Sequence, residues 1–496
     1  MKRTARTLLV GPAIFLVAGC ALIAGTNGYA VDPSLDDASV DSAADTLRGD
    51  SPGTEGGPVD AADAVSEAAG DAVADVSDAG ADAPPEGSTN TGDAAIYTSL
   101  DAGGAVWATS DVSGIAADAV DGFNGGAFDG KYMYFAPIGG TVLRLDTTLP
   151  GEFGGTGPWT AQSLTAVAED GGTIAAQGFS GAVYDGRYVY FVPFQTQALQ
   201  QTSQVVRYDT HGAFASTASW QAFDTKTHLG AEAAGFQGGV FDSRYVYFVP
   251  NGAGGSGTFV RYDTQGTFQD PAAWLSVDLT TLVSSTSAGF AGGLYAPPYV
   301  YLVPSSSSWI ARYDTTAAFD VAGSWASYDV SRGGTAPYGF LGGAVAGNDV
   351  LLAPSYNDVT FKFFGTVYEY DTTTPFTDSA SWSSFDATAL PGEPQGFFGA
   401  AFDGRWVYFA PQLSSASGTS TFSGVLARYD TTAGFAGLTS WQSFDMQTID
   451  SNATGFAGAV FDGTYVYFIP ATSSATFARF LARTAAASPP FMGSFY

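Results

Sequence analysis

A Gly-Phe pair returns seven times, at Phe123, Phe179, Phe236, Phe290, Phe340, Phe397 and Phe456, at intervals of 50 to 59 residues. A period of that length marks a supersecondary unit that cannot bury its own apolar face and must stack on its neighbours. It replaces the roughly three domains that 496 residues would otherwise imply. The register inside each copy is strict. Six residues after the Phe stands Asp129, Asp185, Asp242, Ala296, Ala346, Asp403 or Asp462. Eight further on stands Pro137, Pro193, Pro250, Pro304, Pro354, Pro411 or Pro470. An Arg-Tyr-Asp-Thr motif or a relative follows at Arg144, Arg207, Arg261, Arg312, Glu369, Arg428 and, degenerate, Arg483. A Trp closes the copy at Trp159, Trp220, Trp274, Trp325, Trp382 and Trp441, always six residues after a Phe.

One copy, GFQGGVFDSRYVYFVP…GTFVRYDTQGTF…AAWLSVDLT, reads as four strands. The first ends in a tight Asp-Ser or Asp-Gly turn suited to a short hairpin. The second alternates aromatic and β-branched residues and stops at Pro, which has no N–H to continue a ladder. The Tyr-Asp-Thr segment and the Trp segment supply the third and fourth. No window sustains a 3.6-residue apolar period. The fold class that follows is all-β: a seven-bladed β-propeller with four antiparallel strands per blade. The last copy lacks its Trp strand, because the Trp due six residues after Phe491 would fall one position beyond Tyr496. Trp107 and Asp111 carry that signature upstream, so Ala105–Val112 is expected to complete blade seven and remove an unpaired edge. The competing assignment gives that strand to Met492–Tyr496.

The second-strand Tyr-Val-Tyr, the third-strand Tyr-Asp-Thr and the downstream Trp resemble kelch-type propellers over about 400 residues. Where kelch repeats usually end the second strand in Gly-Gly, these copies have a Pro-containing end. The resemblance implies a fold and a tendency to bind partners, and no particular ligand.

Composition narrows the chemistry. A single Cys excludes a disulfide framework, a thiolate zinc site and a Cys-x-x-Cys redox pair, and two His leave little for a multi-histidine centre. The net charge of −30 argues against a nucleic-acid partner. Most charged residues of the repeat region are repeat residues: third-strand Arg, the basic residues after the tight turn (Lys131, Arg187, Arg244, Arg405), and the Asp of turn, Tyr-Asp-Thr and Trp strand. Residues recurring around a ring do not converge, so they read as turn caps and ion pairs within blades. Lys226, Arg332, Lys362 and Arg479 remain unassigned, and His211 and His228 read as loop residues. No P-loop, nucleophile elbow, HExxH or paired-carboxylate signal occurs, so no catalytic residue, metal ligand or cofactor is assigned.

Before the repeats, Met1–Arg6 is basic and Thr7–Gly19 is apolar, a length suited to an export signal and too short to span a bilayer unaided. It ends in Leu16-Val17-Ala18-Gly19-Cys20, which resembles a bacterial lipobox. The resemblance implies cleavage after residue 19 and lipidation of Cys20, with outer rather than inner membrane sorting because Ala21 and not Asp follows. Residues 20–96 form a tether; from 32 to 96 sixteen Asp and Glu stand against Arg48 alone, with no aromatic residue. Such a composition does not bury enough surface to offset its ordering entropy. Residues 97–496 are then the propeller.

Sequence variation concentrates in one kind of loop. From second-strand Pro to third-strand Arg or Glu the separations run 7, 14, 11, 8, 15, 17 and 13, whereas the connections after the Trp strand are nearly constant except after Trp159. Alternation puts both kinds on one face, where a rigid scaffold presents binding residues. The candidates there are Phe194, Gln195, Gln197, Trp309, Tyr356, Lys362, Phe363 and Phe364. Aromatics amid Ser, Gln and Asn suit sugar stacking or a protein contact. The functional expectation is a lipid-anchored, exported, monomeric binding or scaffold protein for a protein or glycan. Alternatives are a propeller enzyme acting on glycans or lactones, and an architectural envelope protein.

Overall fold

The computed structural model describes residues 96–495 apart from 252–256, 286, 332–338, 358–359, 416–419, 472–473 and 485–492. The export signal, Cys20, the tether as far as residue 95, Arg332 and Phe491 lie outside the described residues, while Ile96 opens a short strand.

Each copy folds into one antiparallel sheet in simple up-and-down order, and seven sheets follow one another around a ring. The innermost strands are Phe123–Phe128, Phe179–Tyr184, Phe236–Phe241, Phe290–Ala296, Phe340–Ala346, Phe397–Phe402 and Phe456–Phe461. Each touches the inner strand of the next blade, and that of blade seven touches that of blade one. All seven carry a bulge, with the pairing register shifting near the Phe. The glycine two residues after the Phe takes the left-handed conformation that the bulge requires, from φ +69° at Gly342 to +118° at Gly458.

Ring closure follows the Trp signature. Trp107–Asp111 pairs antiparallel with Thr476–Leu481, Trp107 opposite Phe480 and Asp111 opposite Thr476, as the outer strand of blade seven. The competing segment goes elsewhere. Gly493–Phe495 pairs with the inner strand of blade one, giving that blade a fifth strand on the axial side. Blade two also departs from four strands: Val167–Glu169 and Gly172–Ile174, in the exceptional connection after Trp159, add outside it to make six.

The core lies between blades. One apolar layer joins Ala127, Tyr134 and Val142 of blade one to Phe179, Phe191, Tyr208 and Trp220 of blade two, and corresponding layers fill the other six seams. Buried Trp Nε1 groups donate back to the Phe carbonyl six residues earlier, at 2.9 Å for Trp220 and 2.8 Å for Trp274. Trp107 has no such Phe and donates to the Leu100 carbonyl at 3.2 Å.

One repeat assignment needs correction. The third-strand Arg of blade seven is Arg479, not Arg483, because Arg479 stands opposite Tyr467 as Arg144 stands opposite Tyr134. Phe480 and Leu481 replace the Tyr-Asp of the motif, which hides it from pattern matching, while Arg483 belongs to a short strand paired with Ile96–Tyr97.

Candidate functional site

The charged repeat residues are engaged in building the blades. In five blades the turn Asp accepts from two backbone N–H groups through Oδ1 and from a second-strand Tyr hydroxyl through Oδ2, as Asp129 does from Lys131, Tyr132 and Tyr134. Burial first, and then the facing Asp, raises the pKa of Tyr134 and Tyr190 far above the usual phenol range. The basic residue after the turn pairs with the Tyr-Asp-Thr carboxylate: Arg187 with Asp209 at 2.7 Å, Arg244 with Asp263 at 2.8 Å, Arg405 with Asp430 at 2.6 Å and Lys131 with Asp146 at 3.8 Å. Burial alone would raise the Asp430 carboxyl, but hydrogen bonds from Arg405 and Thr432 hold it at about 2.

Third-strand Arg residues are sandwiched at the seams. Arg144 lies 4.1 Å from the Tyr132 ring centroid and 4.3 Å from that of Phe214 on the next blade. Arg207, Arg261, Arg312 and Arg479 repeat the arrangement, and Arg428 sits 4.0 Å over Trp406. The groove of about 560 Å³ between blades one and two, lined by Tyr132, Arg144, Tyr208 and Phe214, is one of these seams. The seam after blade five breaks the rule. Glu369 takes the Arg register, opposite Leu351, and Asp349 takes the Tyr register, opposite Asp371. Burial, then Asp349 and Asp371, push the Glu369 carboxyl up to about 8.

The histidines stand apart from the ring axis. His228 contacts Asp170 at 2.9 Å and stacks on Phe223 at 4.8 Å, against the extra strands outside blade two. His211 is exposed, its N–H donating to Asp209. Among the described residues no three His, Cys, Asp or Glu side chains gather as a group able to hold a metal ion.

The variable loops do share a face with the Gly-Phe ends of the inner strands, and there the structure sorts the predicted residues. In blade two Phe194 is buried, Gln195 bridges to Gln201, and Gln197 is exposed beside Leu199, which takes φ +62°. In blade four Trp309 is half-buried at the start of the third strand. Blade five brings together the other four. Tyr356–Asn357 and Lys362–Phe363 form a hairpin above the blade. Phe363 packs tilted against Tyr356 at 5.0 Å and Phe364 packs edge-on against Phe340 of the inner strand at 5.6 Å. Phe363 and Phe364 are thus anchors rather than contact surface. Blade two's residues stand three blades away and do not join them.

The residue that sequence reasoning missed is Phe361. It sits at the hairpin tip, 67% exposed and at φ +55°, the most exposed large apolar side chain among the described residues. Asn357 holds the tip, its carbonyl accepting from Phe361 N–H and its Oδ1 from Thr360 N–H, both at 2.7 Å. A non-glycine residue held at positive φ with its ring in solvent is costly in both respects, a pattern that concentrates at functional sites. Its sequence signal was the run Phe361-Lys362-Phe363-Phe364, of which the first member points outwards and the third inwards.

A second hairpin, Leu413–Ser414 with Thr421–Phe422, rises from blade six. Each hairpin leans on the following blade. A Cβ on Gly396 would stand 3.0 Å from Phe363, and one on Gly455 would stand 2.6 Å from Phe422. The chain also continues into hydrogen bonds from Gly396 N–H to the Phe364 carbonyl and from Gly455 N–H to that of Ser423. The hairpins are therefore braced across two seams.

No protein-family model matches the chain, and no curated protein matches it. Among solved structures it is similar to a selenomethionine-substituted virginiamycin B lyase from Staphylococcus aureus, with 10% identity, a TM-score of 0.46, and coverage of 76% of this chain and 98% of that one. It is similar to a streptogramin B lyase structure with 11% identity, a TM-score of 0.46, and coverage of 76% and 97%. At that identity no residue role carries from those proteins to a position in this chain.

Proposed function

We propose that the chain is an exported, lipid-anchored recognition protein, a kelch-like propeller whose loop face binds a protein or a glycan through the blade-five hairpin. The observation that carries this reading is Phe361, 67% exposed at φ +55° on a hairpin fixed from below by Phe363 and Phe364. A rigidly presented aromatic loses little freedom on binding and offers a stacking face. Lys362 beside it adds an exposed cation to a chain of net charge −30. The test is a glycan-array and envelope pull-down screen with residues 97–496, repeated with Phe361→Ala. Removing the ring is expected to weaken the captured ligand at least tenfold, about 1.4 kcal/mol or more. A ligand held equally by both proteins would place recognition elsewhere.

The anchor is tested separately. Two or three acyl chains at about 0.8 kcal/mol per buried CH₂ hold a protein to a membrane far more firmly than one. Cys20→Ser is expected to move the protein from the membrane fraction to the soluble fraction on cell fractionation. Retention of the variant in the membrane would overturn the lipoprotein reading.

A further inference from the structure

The inner strands of a propeller expose one hydrogen-bonding edge towards the axis, and such an edge is a template for another strand. In this protein one of these edges is taken. Gly493–Phe495 runs antiparallel to the inner strand of blade one, with Gly493 opposite Phe128, Ser494 opposite Ala127 and Phe495 opposite Gly126. The segment also touches the inner strands of blades two, six and seven, so it lies on the axis and not on an outer surface.

The direction of entry is fixed by the register. The inner strand runs from Phe123 on the loop face to Phe128 and the tight turn on the opposite face. Gly493 meets the Phe128 end first, and the third strand of blade seven, from which this segment comes, also ends on the turn face. At the loop-face end of the axis Leu341 and Phe398 pack with Ala291, Ala457 and Ala471 in an apolar cluster. Access to the blade-one edge is therefore from the turn face.

We propose that the axial edge of blade one is a strand-acceptor site for an extended peptide, and that Gly493–Phe495 is its internal occupant, which a partner peptide must displace. Recognition of this kind runs through main-chain hydrogen bonds, so it selects an extended, non-proline backbone with small residues where neighbouring blades crowd it. The Gly-Ser step of the segment has that character. Being tethered, the internal strand competes at an effective concentration on the order of millimolar, which suppresses binding of micromolar peptide from outside. The inference is independent of the loop face, because no residue of the blade-five hairpin takes part in it.

The test uses a fluorescent peptide with the sequence of residues 485–496, titrated by anisotropy. A chain ending at Thr484 is expected to bind it saturably, and the full chain at least tenfold more weakly. Gly493→Pro in the full chain removes a strand N–H that faces the Phe128 carbonyl without altering any ring residue, and is expected to restore binding. Phe361→Ala is expected to change none of these affinities, which keeps the two proposals separable. Failure of both the shortened chain and Gly493→Pro to bind, or equal binding by the shortened and intact chains, would overturn the proposal.

Discussion

Replacing Trp107 by Ala is expected to lower the stability of the ring by about 3–5 kcal/mol, the range for loss of a large buried aromatic. Trp107 is 5% exposed, stacks on Phe444 of blade six at 4.9 Å and packs against Phe480 of blade seven at 4.8 Å. It therefore joins the strand that closes the ring to both blades at the seam. The melting midpoint should fall by roughly 4–6 °C by calorimetry. A chain beginning at Ser113 goes further, because it strips the whole outer strand from Thr476–Leu481. That leaves an open edge rich in Phe, and the expected result is self-association by size-exclusion chromatography. A monomeric, fully stable chain lacking Trp107–Asp111 would show that the closing strand contributes nothing to the ring.

The seam after blade five should make stability depend on pH. The Glu369 carboxyl rises from an ordinary value near 4.5 to about 8 in the folded chain, through burial and then the charges of Asp349 and Asp371. The folded state then holds a proton that the unfolded state has released, so this contribution is fully present below about pH 4.5 and is lost as pH rises through about 8. Because the group is partly solvated, the loss is on the order of 1–2 kcal/mol rather than the value of the full shift. Denaturant midpoints of the natural chain and Glu369→Gln should converge at pH 5 and separate at pH 8.5, with the Gln variant more stable. Glu369→Arg restores the charge found at this register in the other six blades and adds a cation to face Asp349 and Asp371. At pH 8 it should gain about 1–3 kcal/mol. Parallel pH profiles for all three proteins would remove the repulsion from this seam.

Much of this architecture was legible because its determinants are local. Glycine at the bulge, Asp in the turn, Pro at the end of the second strand and the Phe-to-Trp spacing each act within a few residues, and they recur. Repetition turned weak signals into a register strict enough to find Trp107 on the far side of the chain from its partners. It failed at Arg479, where two substitutions in the motif broke the pattern while the strand pairing persisted.

The binding face was legible only as a class of loop. Length variation located the connections between second and third strands, but exposure within Phe361-Lys362-Phe363-Phe364 depends on which ring meets Phe340 and Gly396. Nothing in the run itself distinguishes the anchor from the tip. Likewise Glu369 was visible as an exception to an Arg column, yet its repulsion arises only because Asp349 is drawn opposite Asp371 on the paired strands.

By itself, then, the sequence determined the repeat, the strand order within a blade, the number of blades and the strand that closes them. These follow from short-range turn chemistry and alternation, which act before distant parts of the chain meet. Tertiary structure alone decided three things: that Gly493–Phe495 occupies the axis and not the outer edge of blade seven, that the connection after Trp159 extends blade two, and that Phe361 is left in solvent. Each of these depends on the space and the unpaired edges left once seven blades have closed, and no local sequence preference encodes that remainder.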